Sequence, residues 1–392
     1  MRKSLKGAAI LLPVALFLGL ALLEVGLWAF RPWAWFHPRG FEAVNLNYES
    51  VIYGDYINNA TDVDPKTGEF RAVPIYRPAR IITDAYGKRN NHAPTTAFAV
   101  MIGDSMAKGD GSSHDDIPTQ QLSRLINRNV ILPHTLSDYG RFGRTAMYLR
   151  HRRPTKANVV IFLLHDQWFR EPLAKVAPVT EIDQALMSRR YENKDASWQA
   201  QFKSFKDEVR AWSGNAILAR KVKTLLKHAL IKGLSKLDIY HHKTGLEYIP
   251  YKKGNVIVEK LSHELAVITT GNEKFDRIAT GIIKLAELAK AEDVRFVVAI
   301  IPAKEYPYNR FRRKPTPMRG IGPADDLNRI LRNAGVDTVL SHPRIFEAVR
   351  RQMQNRGPAV YWDDDGHWSP YGSQLTMELV RDKLAELGIL KN

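Results

Sequence analysis

The strongest constraint on this chain is an uninterrupted apolar run near its start. MRKSLK is followed by GAAILLPVALFLGLALLEVGLWAF, Gly7 to Phe30, and no residue from Gly7 to Leu23 is charged. At about 1.5 Å per residue such a helix crosses about 30 Å of hydrocarbon. Arg2, Lys3 and Lys6 precede it, which keeps the amino terminus on the cytoplasmic side. Trp28, Trp33 and Trp35 follow it, as an interfacial aromatic belt does. A cleaved signal peptide has a shorter apolar core and a small-x-small cleavage site, and EVGLWAFRPW offers none. The expectation is a stub and transmembrane anchor over residues 1–35 and one periplasmic domain over 36–392. The protein is then a single-pass protein of the inner (cytoplasmic) membrane, with the lipid bilayer as its first partner.

The rest of the chain can build a core. It has 392 residues, 44% hydrophobic and 10% aromatic, which excludes intrinsic disorder as the main state. It has no cysteine, which excludes disulfide scaffolds, thiolate metal sites and a cysteine nucleophile. A net charge of +17 favours anionic partners. Nucleic acid is not expected, because an exported domain does not meet it and no binding module is recognisable.

Short apolar runs alternate with segments of helical period. Ala97–Ile102, Val130–Leu136, Asn158–Leu164, Val294–Ile301 and Thr338–Leu340 read as buried strands. Pro118–Asn127, Lys274–Lys290, Asp326–Ala334 and Gln374–Leu387 read as helices. This rhythm predicts an α/β fold with a doubly wound, mostly parallel sheet covered on both faces. Phe41–Asn91 reads as short strands and loops packed on that domain. The stretch at about 170–271 breaks the rhythm and is expected as a helical insertion. Within it, Leu218–Leu237 is basic and free of acids. It fits a helix on the outer leaflet or against an anionic polymer, and equally an amphipathic helix with a solvated basic face.

Two pieces carry chemistry. Gly103-Asp104-Ser105 follows a strand, and sites in parallel sheets form at the carboxyl ends of strands. A serine hydroxyl needs a base to become a nucleophile, and the base needs a third group to hold its tautomer. Near the other end, Asp363-Asp364-Asp365-Gly366-His367-Trp368 sets a histidine after carboxylates, just before the last helix. An acidic turn alone also fits a calcium loop, but the later ligand positions lack carboxylates. Together the two pieces make a Ser–His–Asp set if the sheet brings their strand ends together.

These blocks resemble the SGNH/GDSL hydrolase superfamily, in particular a membrane-anchored envelope branch similar to alginate-type O-acetyltransferase domains. IGDSMAKGDG, Ile102 to Gly111, resembles the family's Gly-Asp-Ser opening; SDYGRFG, Ser137 to Gly143, is similar to its Tyr-Gly-x-x-Gly turn; DGHWSPYG, Asp365 to Gly372, resembles its Asp-x-His-Trp block. The resemblance implies an SGNH-hydrolase-like, flavodoxin-like sandwich. It places Ser105 as nucleophile, His367 as base and Asp365 as the supporting acid. Asp364 is the fallback, because the wider superfamily uses Asp-x-x-His. The backbone N–H groups of Ser105 and Gly143 take the oxyanion. Where the family often has an asparagine donor this chain has His165-Asp166, so His165 is the candidate third donor. VAIIPAK, Val298 to Lys304, also resembles a strand-Pro-x-Lys segment of the branch. Read from the residues alone, Lys304 is a solvated strand end or pairs with a carboxylate or substrate. Tyr139 and Trp368 read as packing residues. The implied activity is acyl-ester chemistry on O-acyl groups of an envelope polysaccharide, as O-acetyltransferase or esterase, without cofactor or metal. The transferase form implies a membrane acyl-donor transporter as partner. A lipid or thioester hydrolase, or a non-catalytic assembly protein that keeps the fold, stays open beside it.

Overall fold

A computed structural model describes residues 18–19, 22, 47–52, 77–84, 88–91, 95–133, 140–151, 155–166, 177–187, 246–251, 254–259, 271–318, 320–363 and 365–390. Among them no helix is long and apolar enough to cross a membrane. The Gly7–Phe30 run lies outside them except for Leu18, Gly19 and Leu22, of which the two leucines are exposed.

A two-stranded antiparallel ribbon pairs β1 (Asn47–Ile52) with β2 (Arg77–Ile82). The central sheet contains β3 (Ala99–Ile102), β4 (Val130–Ile131), β5 (Val159–His165), β8 (Arg295–Ile301) and β9 (Asp337–Leu340), in the order β4-β3-β5-β8-β9. All four pairings are parallel. The chain adds strands to one side of β3, then crosses to the other side at β5. Such a reversal opens a crevice at the carboxyl ends of the two central strands, the usual ligand position of doubly wound sheets.

Every residue of β3 and β5 is buried, because both sheet faces are covered. Side chains alternate between them. Val100, Ile102, Val160, Phe162, Leu164, Val298 and Ile300 face one core. That core is closed by α3 (Arg141–His151), α4 (Pro178–Met187), α5 (Glu273–Ala291) and α7 (Ala324–Asn333). Ala99, Met101, Ile161, Leu163, Val297, Ala299 and Ile301 face the other. That one is closed by α2 (Pro118–Ile126), α8 (His342–Met353) and α9 (Pro370–Glu386). Period-two alternation in a strand that is apolar on both faces explains why these runs read as continuous hydrophobic sequence.

Most predicted strands and helices fall within a few residues of the observed ones; β4 is shorter than predicted, ending at Ile131, and two of the longer helices were not anticipated. One is α3, in a glycine-containing block that resembled a turn. The other is α8, which starts at His342-Pro343 with proline in the first turn, where its missing N–H costs no hydrogen bond.

The interval 170–271 needs a correction. Its described residues hold α4 but also an antiparallel hairpin, β6 (Leu246–Tyr251) with β7 (Gly254–Glu259). EYIPY and NVIVE are rich in aromatic and β-branched residues, and Ile249, Val256 and Val258 bury into the second core. The interval is therefore not purely helical. The basic stretch Leu218–Leu237 and Tyr139 lie outside the described residues.

Candidate active site

Strand β3 delivers Ser105 to the crevice through a tight turn. A Cβ at Gly103 would stand 2.8 Å from Ala107 Cβ and 3.0 Å from Leu163 Cβ, so only glycine lets this turn lie against β5. Asp104 caps the single-turn helix α1 (Ser105–Lys108), its Oδ1 accepting from the Met106 N–H at 2.9 Å. Gly109 ends that helix at φ 72°, a left-handed conformation that glycine adopts without strain. Ser105 is thus held at a helix start, half-buried.

His367 comes from the loop between α8 and α9. The loop closes on itself: Trp362 N–H donates to His367 O at 3.1 Å, and Tyr361 and Trp368 form an antiparallel bridge. Ser369 then caps α9, its Oγ accepting from the Gly372 N–H at 3.3 Å. Gln121 of α2 donates to Pro370 O at 2.8 Å, which ties the start of α9 to the helix beside Ser105.

The two pieces meet. His367 Nε2 lies 2.7 Å from Ser105 Oγ. His367 Nδ1 lies 2.6 Å from Asp365 Oδ1, which also accepts the His367 backbone N–H at 3.1 Å. With a carboxylate at Nδ1, that nitrogen carries the proton and Nε2 is left to accept from the Ser105 hydroxyl. Burial alone would raise the Asp365 pKa; the charge and hydrogen bonds of His367, with Arg77, outweigh it and lower it. Asp364, the fallback, lies outside the described residues.

The loop is held from outside at several points. Arg77 of β2 stands 4.0 Å from Asp365 Oδ2 and stacks over Trp362, 4.2 Å from the ring centroid. Tyr251 of β6 donates to Asp363 Oδ2 at 2.6 Å. Burial, then Asp363, raises the Tyr251 pKa, so the phenol stays protonated and donates. Ile257 of β7 donates its N–H to Asp363 O at 2.9 Å. Lys304, read from sequence as a solvated strand end or a partner for a carboxylate or substrate, is 1% exposed and bonded to loop carbonyls instead. Trp368 packs in the second core at 2% exposure, as read from sequence. Arg77 and Tyr251 carried no sequence signal, because neither lies near a motif and their partners are far along the chain.

The expected oxyanion donors are placed differently from one another. Gly143 is in the first turn of α3, and its N–H is directed at Glu181 Oε2 of α4 at 3.5 Å. The Glu181 carboxylate also lies against Gly140, and a Cβ there would push it aside. An oxyanion at this amide would compete with a carboxylate already present. His165 ends β5, buried at 4% exposure, with Nδ1 3.6 Å from Asp104 Oδ2 and neither ring nitrogen hydrogen-bonded. Burial pushes the Asp104 carboxyl up, but His165, Arg141 at 3.3 Å and the Met106 N–H outweigh it and hold the acid well below its ordinary range. An ionised Asp104 favours the proton on His165 Nδ1. The neutral ring then offers Nε2 as an acceptor, and only the imidazolium, with both nitrogens protonated, offers an oxyanion donor.

Among the described residues, no group of three or more His, Asp and Glu side chains is arranged to hold a metal ion. The geometry can do one thing directly: move a proton from a serine hydroxyl to an imidazole that a buried carboxylate supports. No protein-family model matches the chain, and no curated protein matches it.

Proposed function

We propose that this protein carries out serine-dependent acyl-ester chemistry through an acyl-serine intermediate. The observation that carries the reading is the contact series Ser105 Oγ, His367 Nε2, His367 Nδ1, Asp365 Oδ1, at 2.7 and 2.6 Å. As the Ser105 oxygen bonds to an ester carbonyl carbon, its proton passes to His367 Nε2. Asp365 stabilises the imidazolium that forms. The tetrahedral intermediate collapses, the bond to the leaving oxygen breaks, and His367 returns the proton to that oxygen. An acceptor hydroxyl then gives its proton to His367 and attacks the acyl carbon; the ester bond to Ser105 Oγ breaks and His367 returns the proton to that oxygen, restoring Ser105. Water as acceptor makes the protein an esterase; a sugar hydroxyl makes it an O-acyltransferase.

The SGNH/GDSL resemblance of the Gly-Asp-Ser and Asp-x-His-Trp blocks supports O-acetyl groups of an envelope polysaccharide as the substrate. The apolar run Gly7–Phe30 supports a membrane anchor with the sheet domain on the periplasmic side. The net charge of +17 suits an acidic glycan.

The test is mass spectrometry of the Ser105 peptide after the full chain meets an activated acetyl ester. One acetyl group on Ser105, absent from Ser105→Ala and discharged by added sugar or water, is the expected result. A folded protein that never acylates at Ser105, and does not react there with a serine-directed phosphonate, refutes the proposal. A strong preference for long acyl chains redirects it to a lipid or thioester substrate.

A further inference from the structure

Lys304 sits just after β8, at the entry to α6 (Glu305–Tyr308), and its side chain runs into the protein. Its Nζ donates to three backbone carbonyls: Trp362 at 2.6 Å, Asp365 at 2.9 Å and Asp363 at 3.2 Å. All three belong to the loop that presents Asp365 and His367. Three converging acceptors match the three protons of an ammonium; a neutral amine has only two and would aim a lone pair at the third carbonyl. The neighbouring Tyr361 hydroxyl donates to Pro302 O at 2.6 Å, so the same short segment after β8 grips the loop twice.

This arrangement has two consequences. First, carbonyls 362, 363 and 365 all turn inward on one point, which fixes the backbone from which Asp365 and His367 project. Second, the point is cationic. A fixed positive charge beside the Asp–His pair favours the carboxylate and disfavours an added proton on the imidazole. We propose that Lys304 is a positioning residue for the reaction, holding the His367 loop in register and keeping its imidazole in the proton-accepting form. The proposal rests on the acyl-serine reading above.

The other charged and titratable groups around the pair come from several elements. Arg77 faces Asp365 from β2. Asp363, bonded to Tyr251 of β6, and the buried Glu305 lie on the Lys304 side. Tyr308 has its ring 6.0 Å from Lys304 Nζ. Asp104, Arg141 and His165 gather next to Ser105. Replacing Lys304 removes none of these charges, so a change in pH response seen in Lys304→Met and absent from the charge-preserving Lys304→Arg reports the charge of the lysine.

The experiment compares native full-length protein with Lys304→Met and Lys304→Arg, using a short-chain nitrophenyl ester over a range of pH. For Lys304→Met, kcat falls about 10–100-fold with KM within about twofold, because misplaced catalytic groups slow chemistry rather than binding. The acid limb of kcat/KM moves to higher pH by about half to one unit, because removal of a cation makes the imidazole easier to protonate. Lys304→Arg keeps the charge, so its acid limb stays put. Its planar fork cannot converge on three carbonyls, so its kcat still falls. A purely structural lysine gives lower stability and lower kcat in both variants with no movement of the acid limb, and that result overturns the proposal. So does a native rate in Lys304→Met. If Lys304→Met does not fold, Lys304→Arg decides, and native kcat there overturns the proposal. If the native protein neither turns over ester nor labels at Ser105, the acyl-serine reading is what has failed. The titration of the His367 ring nitrogens by NMR then tests the lysine alone: an unshifted midpoint in a folded variant without the charge, Lys304→Met or Lys304→Gln, refutes its electrostatic role.

Discussion

Replacing Asp365 by asparagine isolates the charge of the supporting acid from its shape. The amide is nearly isosteric, and its carbonyl oxygen can take both bonds that Asp365 Oδ1 now accepts, from His367 Nδ1 at 2.6 Å and from the His367 backbone N–H at 3.1 Å. The loop therefore keeps its fold, and Lys304 still holds the carbonyl of residue 365. What disappears is the negative charge that, in the proposed reaction, faces the imidazolium formed as Ser105 attacks. Two unit charges about 4 Å apart at an effective dielectric of about 20 interact by about 4 kcal/mol, or roughly three decades in rate. If the amide turns its NH₂ toward Nδ1, the ring adopts the opposite tautomer and Nε2 can no longer accept the serine proton; the loss then approaches about 10⁴. The expected result is a fall in kcat of about 10³–10⁴ with KM little changed. It is measured by steady-state hydrolysis of a nitrophenyl acetate, with Ser105→Ala as the floor and thermal unfolding as the check on folding. Asp364→Asn, run in parallel, should change the rate less than about threefold, since the charge at 365 already supports the ring. A folded Asp365→Asn within tenfold of native, or a collapse of activity in Asp364→Asn instead, refutes the assignment of Asp365.

Glu181→Gln removes the negative charge at the first-turn amides of α3; kcat/KM rises severalfold if the Gly143 N–H serves the oxyanion, and stability falls by up to about 1 kcal/mol as the helix loses its anionic partner. An unchanged rate assigns that amide to the helix start alone. Gly103→Ala forces a Cβ to within 2.8 Å of Ala107 Cβ, so the turn must shift. Stability drops by about 1–3 kcal/mol and kcat by tenfold or more, read by denaturant unfolding and ester hydrolysis. Asp104 and Asp365 both have pKa values lowered below the ordinary 3.8, so each contributes stability that is complete above about pH 4 and is lost as pH falls through the lowered values. Urea unfolding of Asp104→Asn between pH 4 and 2 should show a shallower loss than native; an equal slope removes Asp104 from the account.

How much of this was legible in sequence depended on the range of the interaction. The strands β3, β5 and β8 were visible because burial on both faces leaves no polar positions to interrupt them. Asp365 and His367 were visible because their pairing is local: one turn of loop folds the acid back onto the ring two residues later. Ser105 was visible because Gly103 and Asp104 are what a strand-to-helix turn needs, a residue without a Cβ and then a helix cap. The hairpin of β6 and β7 was hidden inside an interval that reads as lysine-rich and helical, since a few β-branched residues carry little weight there. Arg77 and Tyr251 were invisible for a different reason. Each acts on a partner hundreds or scores of residues away, and nothing in its own neighbours announces the contact. The orientation of the Gly143 amide was equally hidden, because it depends on Glu181 from another helix.

Lys304 shows why external support belongs with this kind of site. The loop packs Val360, Tyr361 and Trp368 into the second core, but the stretch between them that carries the acid and the base, 362–367, has Trp362 as its one large apolar residue. Its backbone carbonyls also lie inside the protein, where an unpaired acceptor costs about 1–3 kcal/mol. An ammonium that satisfies three of them at once removes that cost and locks their directions together. The same charge then acts on the ring it helps to place. Packing alone would fix the loop equally well with an apolar side chain and bound water at the carbonyls, and would leave the acid limb of the rate where it is. Movement of that limb on removal of the lysine is therefore the measurement that separates a site tuned by its support from one merely propped by it.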